Sequence, residues 1–452
     1  MKRHLLWLFI LGIAVILGGC GPEPMPIIVM ITTTPEPTGT SVVRNMAAFP
    51  GPSPTPQGTP APTDTPAPSA VPVNPTPTTA PVVPPEVPDN LPSLTQSRMG
   101  IQFHPFISRD NWNQRLTDVA ELGFDWIKIQ VAWDEMEREP NVYNPIFYEY
   151  AQRIQWASYV AGPRKILLSI AKAPNWARPT GYNDQLDGPP ANPEDLARFI
   201  TTLLTLVKPE DNRITAIEVW NEPNLEREWN GLPMNGAEYM KLFDVAYRTI
   251  KSMAPNIQVV TAGLAPVGDG VAGSVGDRTY LQQMYDAGLA NYADVKVGAH
   301  PFPWANPPDE RCCNTARGWA DNRVFFFQDT LFDYRDIIQR NGHNTLIWVT
   351  EFGWGTYDNV GINGADGIPP DEAGFFSLLT EQQQAEYTIR AFQLLQQPPL
   401  SDFVEVAFLW NLNFAMLEGA IEQRQEQAGY SIFNASGQPR MLYFYLLHSP
   451  RQ

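Results

Sequence analysis

Ile214-Thr-Ala-Ile-Glu-Val-Trp-Asn221 is a short run, rich in β-branched and aromatic residues, that breaks off into Glu222-Pro223-Asn224. A run of this length and composition reads as a strand, and its continuous apolar character reads as a strand buried on both faces. Working outward, seven further runs have the same character: Gly100–His104, Trp126–Val131, Lys165–Ala171, Gln258–Ala262, Val295–His300, Leu346–Glu351 and Val404–Asn411. Amphipathic helical stretches separate them, over Trp112–Leu122, Phe147–Val160, Pro193–Val207, Ala237–Met253, Tyr280–Ala287, Asp321–Arg340 and Glu381–Gln397. Asn192-Pro193 and Thr380-Glu381 are plausible helix starts. Met441–His448 would be the closing helix. Eight strand-helix units in residues 98–452 fit an α/β fold, a (β/α)8 TIM barrel, with a doubly wound open sheet as the alternative.

The first 97 residues cannot belong to that barrel. Of the 45 prolines, 21 fall between Pro22 and Pro92. Proline fixes φ and removes a backbone donor, so residues 20–97 are expected to be a disordered Pro/Thr-rich linker, extended at about 3.1 Å per residue in the polyproline limit. Residues 1–19 start with Lys2 and Arg3 and continue in the apolar run Leu5–Gly19. Fifteen helical residues span about 22 Å, short of the ~30 Å hydrocarbon core, so this run reads as an export signal and not a spanning helix. It ends Leu17-Gly18-Gly19-Cys20, which resembles a bacterial lipoprotein signal and makes Cys20 the expected lipidation site. The expectation is an exported, surface-anchored protein, touching the membrane through that lipid alone, and a monomer.

The formal net charge is −17, from 31 Lys+Arg against 48 Asp+Glu. With no basic run beyond the first three residues, nucleic acid is not an expected partner. No CxxC or HExxH spacing is present, so neither a metal nor a cofactor is expected. Cys312 and Cys313 are adjacent, and could be a vicinal disulfide or two free thiols. Gly268–Gly273 satisfies GxGxxG but does not join a strand directly to a helix, and it reads as a loop.

In a barrel of this kind functional groups sit at the carboxyl ends of the strands. The fourth run ends at Glu222 and the seventh at Glu351, 129 residues apart. Strands four and seven lie across the mouth from one another, so the two carboxylates could face one site. Paired carboxylates are what glycosidic-bond hydrolysis requires, one to protonate the leaving oxygen and one to attack the anomeric carbon or activate water.

Trp220-Asn221-Glu222-Pro223-Asn224 followed by Val349-Thr350-Glu351-Phe352-Gly353-Trp354 resembles clan A of the glycoside hydrolases, the retaining (β/α)8 enzymes with cellulase-like and β-xylosidase-like families. The resemblance implies an acid/base role for Glu222, a nucleophile role for Glu351 and a hydrogen bond from Asn221 to the sugar 2-hydroxyl. It implies that Trp410 floors the reacting sugar and that His300 is the histidine often found at the end of strand six. Two departures stand out. Many members carry an Arg on strand two and a His-x-Tyr on strand six; here the positions read Lys128 and His300-Pro301-Phe302. Lys keeps the charge and loses the planar fork, and Phe302 loses the phenol.

Other candidates follow from strand-end location alone: His104, and Gln130 beside Lys128 on the second strand with the alternation that points both inward. Trp133, Trp176 and Trp354 are candidates to stack on sugar rings, although Trp is also common in cores. The expected activity is a retaining glycosidase acting on an oligo- or polysaccharide with β-linkages. The alternative is a surface carbohydrate-binding protein with a degenerate barrel. An α/β-hydrolase is excluded by the lack of a G-x-S-x-G elbow.

Overall fold

The computed structural model describes residues 85–452, except 106–108, 161–164, 315, 317–319 and 372. The expected signal, Cys20 and most of the expected linker lie outside the described residues.

Eight parallel strands follow one another in the chain: β1 (Met99–Gln102), β2 (Trp126–Ala132), β3 (Lys165–Ala171), β4 (Ile214–Val219), β5 (Gln258–Thr261), β6 (Val297–Ala299), β7 (Ile347–Phe352) and β8 (Val404–Leu409). Their hydrogen-bonded order is β5-β4-β3-β2-β1-β8-β7-β6. A parallel bridge between Val260 and Lys296 joins β5 to the approach of β6 and closes the ring. Each strand is followed by a helix: α1 (Arg109–Glu121), α2 (Pro145–Val160), α3 (Pro193–Val207), α4 (Gly236–Met253), α5 (Asp277–Asp286), α6 (Phe327–Arg340), α7 (Glu381–Leu395) and α8 (Met441–His448). This is a (β/α)8 barrel, and the open-sheet alternative is excluded by the closure.

Local chemistry explains the helix starts. The Asn192 side chain accepts from the Glu194 N–H and Pro193 occupies the first turn of α3, where a missing donor costs nothing. Thr380 and Gln383 form a reciprocal capping box at α7. Strand boundaries drift by a few residues from those expected, most at β6, where Lys296 contributes only a bridge and His300 lies just past the end.

Period-two alternation fills the barrel in layers. The lower interior is an apolar plug of Trp126, Leu167, Ala216, Val260, Trp348, Val406 and Phe408. Two residues further along the strands the side chains turn polar: Gln102, Lys128, Ser169, Glu218 and Thr350, each no more than 1% exposed. Register ties them together, with Gln102 opposite Lys128 and Ser169 opposite Glu218. The outward faces of the strands pack against the helices in one large apolar core.

The packed domain begins before residue 98. Leu94, placed by composition in the linker, is fully buried, and its N–H donates to the Pro450 carbonyl at 2.8 Å. Val87 and Leu91 pack against the same core. Among the described residues no helix is long and apolar enough to cross a membrane, and no group of three or more His, Cys, Asp or Glu is arranged to hold a metal ion.

Candidate active site

The end of β4 is where the chain leaves ordinary strand geometry. Trp220 has φ +75° and Glu222 has φ +38°, a region that costs an L-residue about 1–2 kcal/mol. Backbone bonds hold the turn, from Trp220 N–H to the Ile170 carbonyl (2.8 Å) and from Glu222 N–H to the Gly263 carbonyl (3.1 Å). Trp220 is thereby buried edge-to-face on Trp229, while Asn221 and Glu222 lie at the mouth, 8% and 7% exposed. The Asn221 Oδ1 has no hydrogen-bond partner.

Glu351 sits across the mouth on β7. Its Oε1 is 2.8 Å from Lys128 Nζ. The same ammonium is 2.9 Å from Glu218 Oε2 and 3.3 Å from the Thr350 carbonyl. Glu218 Oε1 accepts the Gly263 N–H at 3.1 Å. Above this layer His300 Nδ1 donates to Glu222 Oε1 at 3.0 Å and is 3.9 Å from Glu351 Oε2. Two carboxylate oxygens that close to one nitrogen are at most about 7 Å apart, so Glu222 and Glu351 present oxygens to one centre. Gly263 makes the arrangement possible: a Cβ there would lie 2.2 Å from His300 Cδ2 and 2.7 Å from Thr350 Oγ1.

The electrostatics follow from these contacts. Burial would raise the Glu222 carboxyl, but the hydrogen bond from His300 and the Arg227 guanidinium, whose Nη2 is 3.1 Å from Oε2, hold it at about 2. Burial would lower His300, and the charge of Glu351 with the Glu222 hydrogen bond outweighs it and raises the imidazole. Lys128 is likewise raised against burial by Glu218 and Glu351, and Glu218 is lowered against burial by Lys128. Three carboxylates thus face the two fixed cations Lys128 and Arg227, and one proton on the His300–Glu222 bond brings the cluster to neutrality. In the free protein that proton resides on His300.

Of the aromatic candidates, Trp410 is half-buried at the mouth, against Tyr430 (4.9 Å) and Phe302 (5.5 Å), and the Trp410–Asn411 peptide is cis. His104 is half-buried nearby, edge-on to Phe414; burial and Arg153 lower it to about 4, so it is neutral at ordinary pH. Gln130 is half-buried one inward step above Lys128. Trp176 is half-buried, with the Arg198 guanidinium over its ring at 5.2 Å and its N–H on the Glu137 carbonyl.

Trp133 and Trp354 depart from the expectation of sugar platforms. Trp133 is wholly buried, stacked on Phe199, with its N–H on Glu137 Oε2. Trp354 is 1% exposed, packed on Phe327, with its N–H on the Asn306 carbonyl. Both turn outward between barrel and helices, and no ring face is left for a sugar.

The sequence reading did not single out Glu218, Arg227, Gly263 or Tyr430. Glu218 had a signal: it lies four residues before Glu222 on a period-two strand, on the inward face with Ala216. Tyr430 is buried beside Phe302 at 5.5 Å and Trp410, which returns a phenol to the neighbourhood where Phe302 has none. On the β4 side the mouth is ionic. Lys172 pairs with Asp187 at 2.8 Å, and Glu228 lies 4.0 Å from Arg227. Burial pushes the Glu228 carboxyl up to about 7 although Lys172 and Arg227 oppose it. The long loop after β6 is pinned to α6 by Asp329, which accepts from Arg311 Nε and the Cys312 N–H. Cys312 and Cys313 in that loop are joined as a disulfide. Gly268–Gly273 is a loop after β5, where the Gly273 carbonyl accepts from the Glu226 N–H.

No family model matches the sequence. Among solved structures the chain is similar to a family 39 glycoside hydrolase from the gut symbiont Bacteroides cellulosilyticus, at 19% identity and TM-score 0.55, over 81% of this chain and 65% of that one. It is similar to a GH5_18 protein from Bifidobacterium longum subsp. longum, crystallised with Manβ1-4GlcNAc, at 9% identity and TM-score 0.51, over 77% of each chain. Among curated proteins a β-xylosidase from Geobacillus stearothermophilus is 46% identical over 50 residues, 11% of this chain and 10% of that protein. The chain thus spans about a tenth of this curated relative and just under two thirds of the family 39 chain. Its fold is the (β/α)8 barrel that glycoside hydrolases of these families adopt.

Proposed function

We propose that the protein is a retaining glycoside hydrolase acting on β-linked oligo- or polysaccharides. The observation that carries this reading is the single nitrogen of His300 standing 3.0 Å from Glu222 and 3.9 Å from Glu351, which brings two carboxylates from opposite strands to one centre. The similarity to glycoside hydrolase structures and the β-xylosidase segment support it.

Glu351 is the nucleophile. Lys128 holds its Oε1 in place and keeps the carboxylate compensated, leaving Oε2 to attack the anomeric carbon. As that bond forms, the bond from carbon to the glycosidic oxygen breaks and the oxygen takes a proton from Glu222. Water then gives its proton to the Glu222 carboxylate, attacks the anomeric carbon and releases Glu351, so configuration is retained. Glu222 must hold a proton when substrate is bound, although in the free protein Arg227 and His300 keep it ionised. Arg227 is half-exposed, with 46% of its side chain accessible. A sugar in the leaving-group position displaces it from Oε2, and the His300 proton then moves to Glu222. Asn221, with its free Oδ1, meets the sugar 2-hydroxyl, and Trp410 floors the ring. The expected lipid anchor at Cys20 and the linker belong to the same proposal, as a tether that lets the domain reach polymeric glycan outside the cell.

The test is hydrolysis of a panel of aryl β-glycosides by the full chain and by Glu222→Ala, with product configuration read by proton NMR. Retained anomeric configuration, with the variant restored by azide as a glycosyl azide, supports the proposal. No turnover of any glycoside by wild type, with glycan binding kept, overturns it in favour of a non-catalytic binding barrel.

A further inference from the structure

Glu218 is a charge inside the barrel, in the same inward layer as Lys128. It is fully buried, points into the interior from β4 and is too far down to meet a substrate. A buried carboxylate with no task is costly, so its partners show what it does. One oxygen takes Lys128 at 2.9 Å, and the other takes the Gly263 N–H at 3.1 Å. The second oxygen is also 3.9 Å from His300 Nε2, a buried nitrogen with no hydrogen-bond partner. Lys128 carries the influence on to Glu351 at 2.8 Å and His300 carries it on to Glu222 at 3.0 Å. Glu218 therefore touches both halves of the proposed reacting pair through one intermediary each.

We propose that Glu218 is a positioning residue, a third carboxylate that never reacts but sets where the proton and the charges reside in the cluster of Lys128, Glu222, His300 and Glu351. This rests on the reading of Glu222 and Glu351 given above. Its negative charge holds Lys128 as an ammonium aimed at Glu351, so that Lys128 does not collapse onto the nucleophile as a lone unshared cation. It also favours a proton on His300, keeping that proton one hydrogen bond from Glu222. The charged and polar groups facing it are Lys128 from β2, Ser169 from β3, Tyr239 from α4, the Gly263 N–H past β5, His300 past β6 and Thr350 from β7; Glu351, Glu222 and Arg227 lie beyond Lys128 and His300.

The sign of its effect is fixed. Removing a buried negative charge lowers the pKa of every group around it, and removing Lys128 raises them. The experiment is the titration of His300, followed by nitrogen-15 NMR of labelled full-length protein, in wild type, Glu218→Gln and Lys128→Met. The expected result is a His300 midpoint moved down by about one pH unit or more in Glu218→Gln and up in Lys128→Met. The basic limb of the kcat/KM profile should move down with it in Glu218→Gln, while Glu218→Asp restores the wild-type limb. A structural role would lower activity and thermal stability evenly across pH with no movement of the midpoint, and that result overturns the inference. Should Glu218→Gln not fold, a His300 midpoint that fails to rise in Lys128→Met overturns it equally. Failure of the activity reading shows separately, as wild-type protein inactive on every glycoside, and leaves the NMR titration free to decide the inference on its own.

Discussion

Replacing Lys128 by Met removes the cation that Glu351 and Glu218 share and leaves most of the stem volume in place. The Lys128 Nζ is 2.8 Å from one carboxylate and 2.9 Å from the other, all inside the barrel. With charge centres roughly 4 Å apart and an effective dielectric near 20, each attraction is worth about 4 kcal/mol. The two carboxylates, no longer separated by a cation, also repel each other, which adds to the cost. Water filling the gap returns part of this, and the net expectation is a kcat/KM about 100-fold below wild type, roughly 2.7 kcal/mol. The assay is hydrolysis of the best aryl β-glycoside between pH 4 and 9, with circular dichroism at each pH to show that the barrel is intact. Activity within tenfold of wild type, in a folded variant, refutes the reasoning, because it means that Lys128 does not hold the nucleophile.

The Gly263→Ala side chain would press into His300 and displace it from Glu222; loss of a hydrogen bond to a charged group predicts a 10–100-fold fall in kcat/KM, roughly 1.5–3 kcal/mol, with the fold kept. Retention of activity within threefold would show that the ring has room to move. Glu228, raised to about 7 in the folded state from 4.5, binds more protons folded than unfolded between those values, so it costs stability progressively as pH rises through that window. Glu228→Gln should therefore unfold at higher denaturant at pH 8, by about 2 kcal/mol, and match wild type at pH 4; equal gains at both pH values would contradict this. Trp410→Ala should raise KM about tenfold or more with little change in melting temperature. Trp133→Ala should instead cost about 3–5 kcal/mol of stability and leave KM alone, which binding isotherms and thermal melts together would check.

The barrel and its mouth were legible in the sequence because both obey short-range rules. Eight apolar runs at regular intervals, each followed by a helical pattern, leave few ways to bury their faces. Glu222 and Glu351 stood out because each closes a strand. Lys128 was found by its inward parity, but its partner Glu218 was passed over. A glutamate in mid-strand looks like the solvent-facing half of an alternation until register brings it beside Ser169 and Lys128. Arg227 lies in the loop after β4 and Tyr430 ends a short helix, Glu426–Tyr430, in the connection after β8; the course of both depends on contacts far apart in the chain and not on local propensity. Trp133 and Trp354 were misjudged for the opposite reason. A tryptophan just past a strand can turn to the mouth or to the surrounding helices, and composition does not distinguish the two directions. Gly263 is a case where the informative quantity is the volume absent, which becomes visible only when His300 is seen to occupy it.

The hydrogen bonds between Leu94 and the last residues of the chain have a consequence for engineering. The Leu94 N–H meets the Pro450 carbonyl, and the Leu94 carbonyl receives the Gln452 N–H. Head and tail of the domain meet below β1, on the face opposite the cleft. A short linker from Gln452 to the residues around Leu94 would turn the domain into a closed loop that can be opened elsewhere. Exposed turns on the cleft-distal side then become candidate new termini for circular permutants. A protein fused after Gln452 would hang behind the barrel, leaving the approach to Glu222 and Glu351 open.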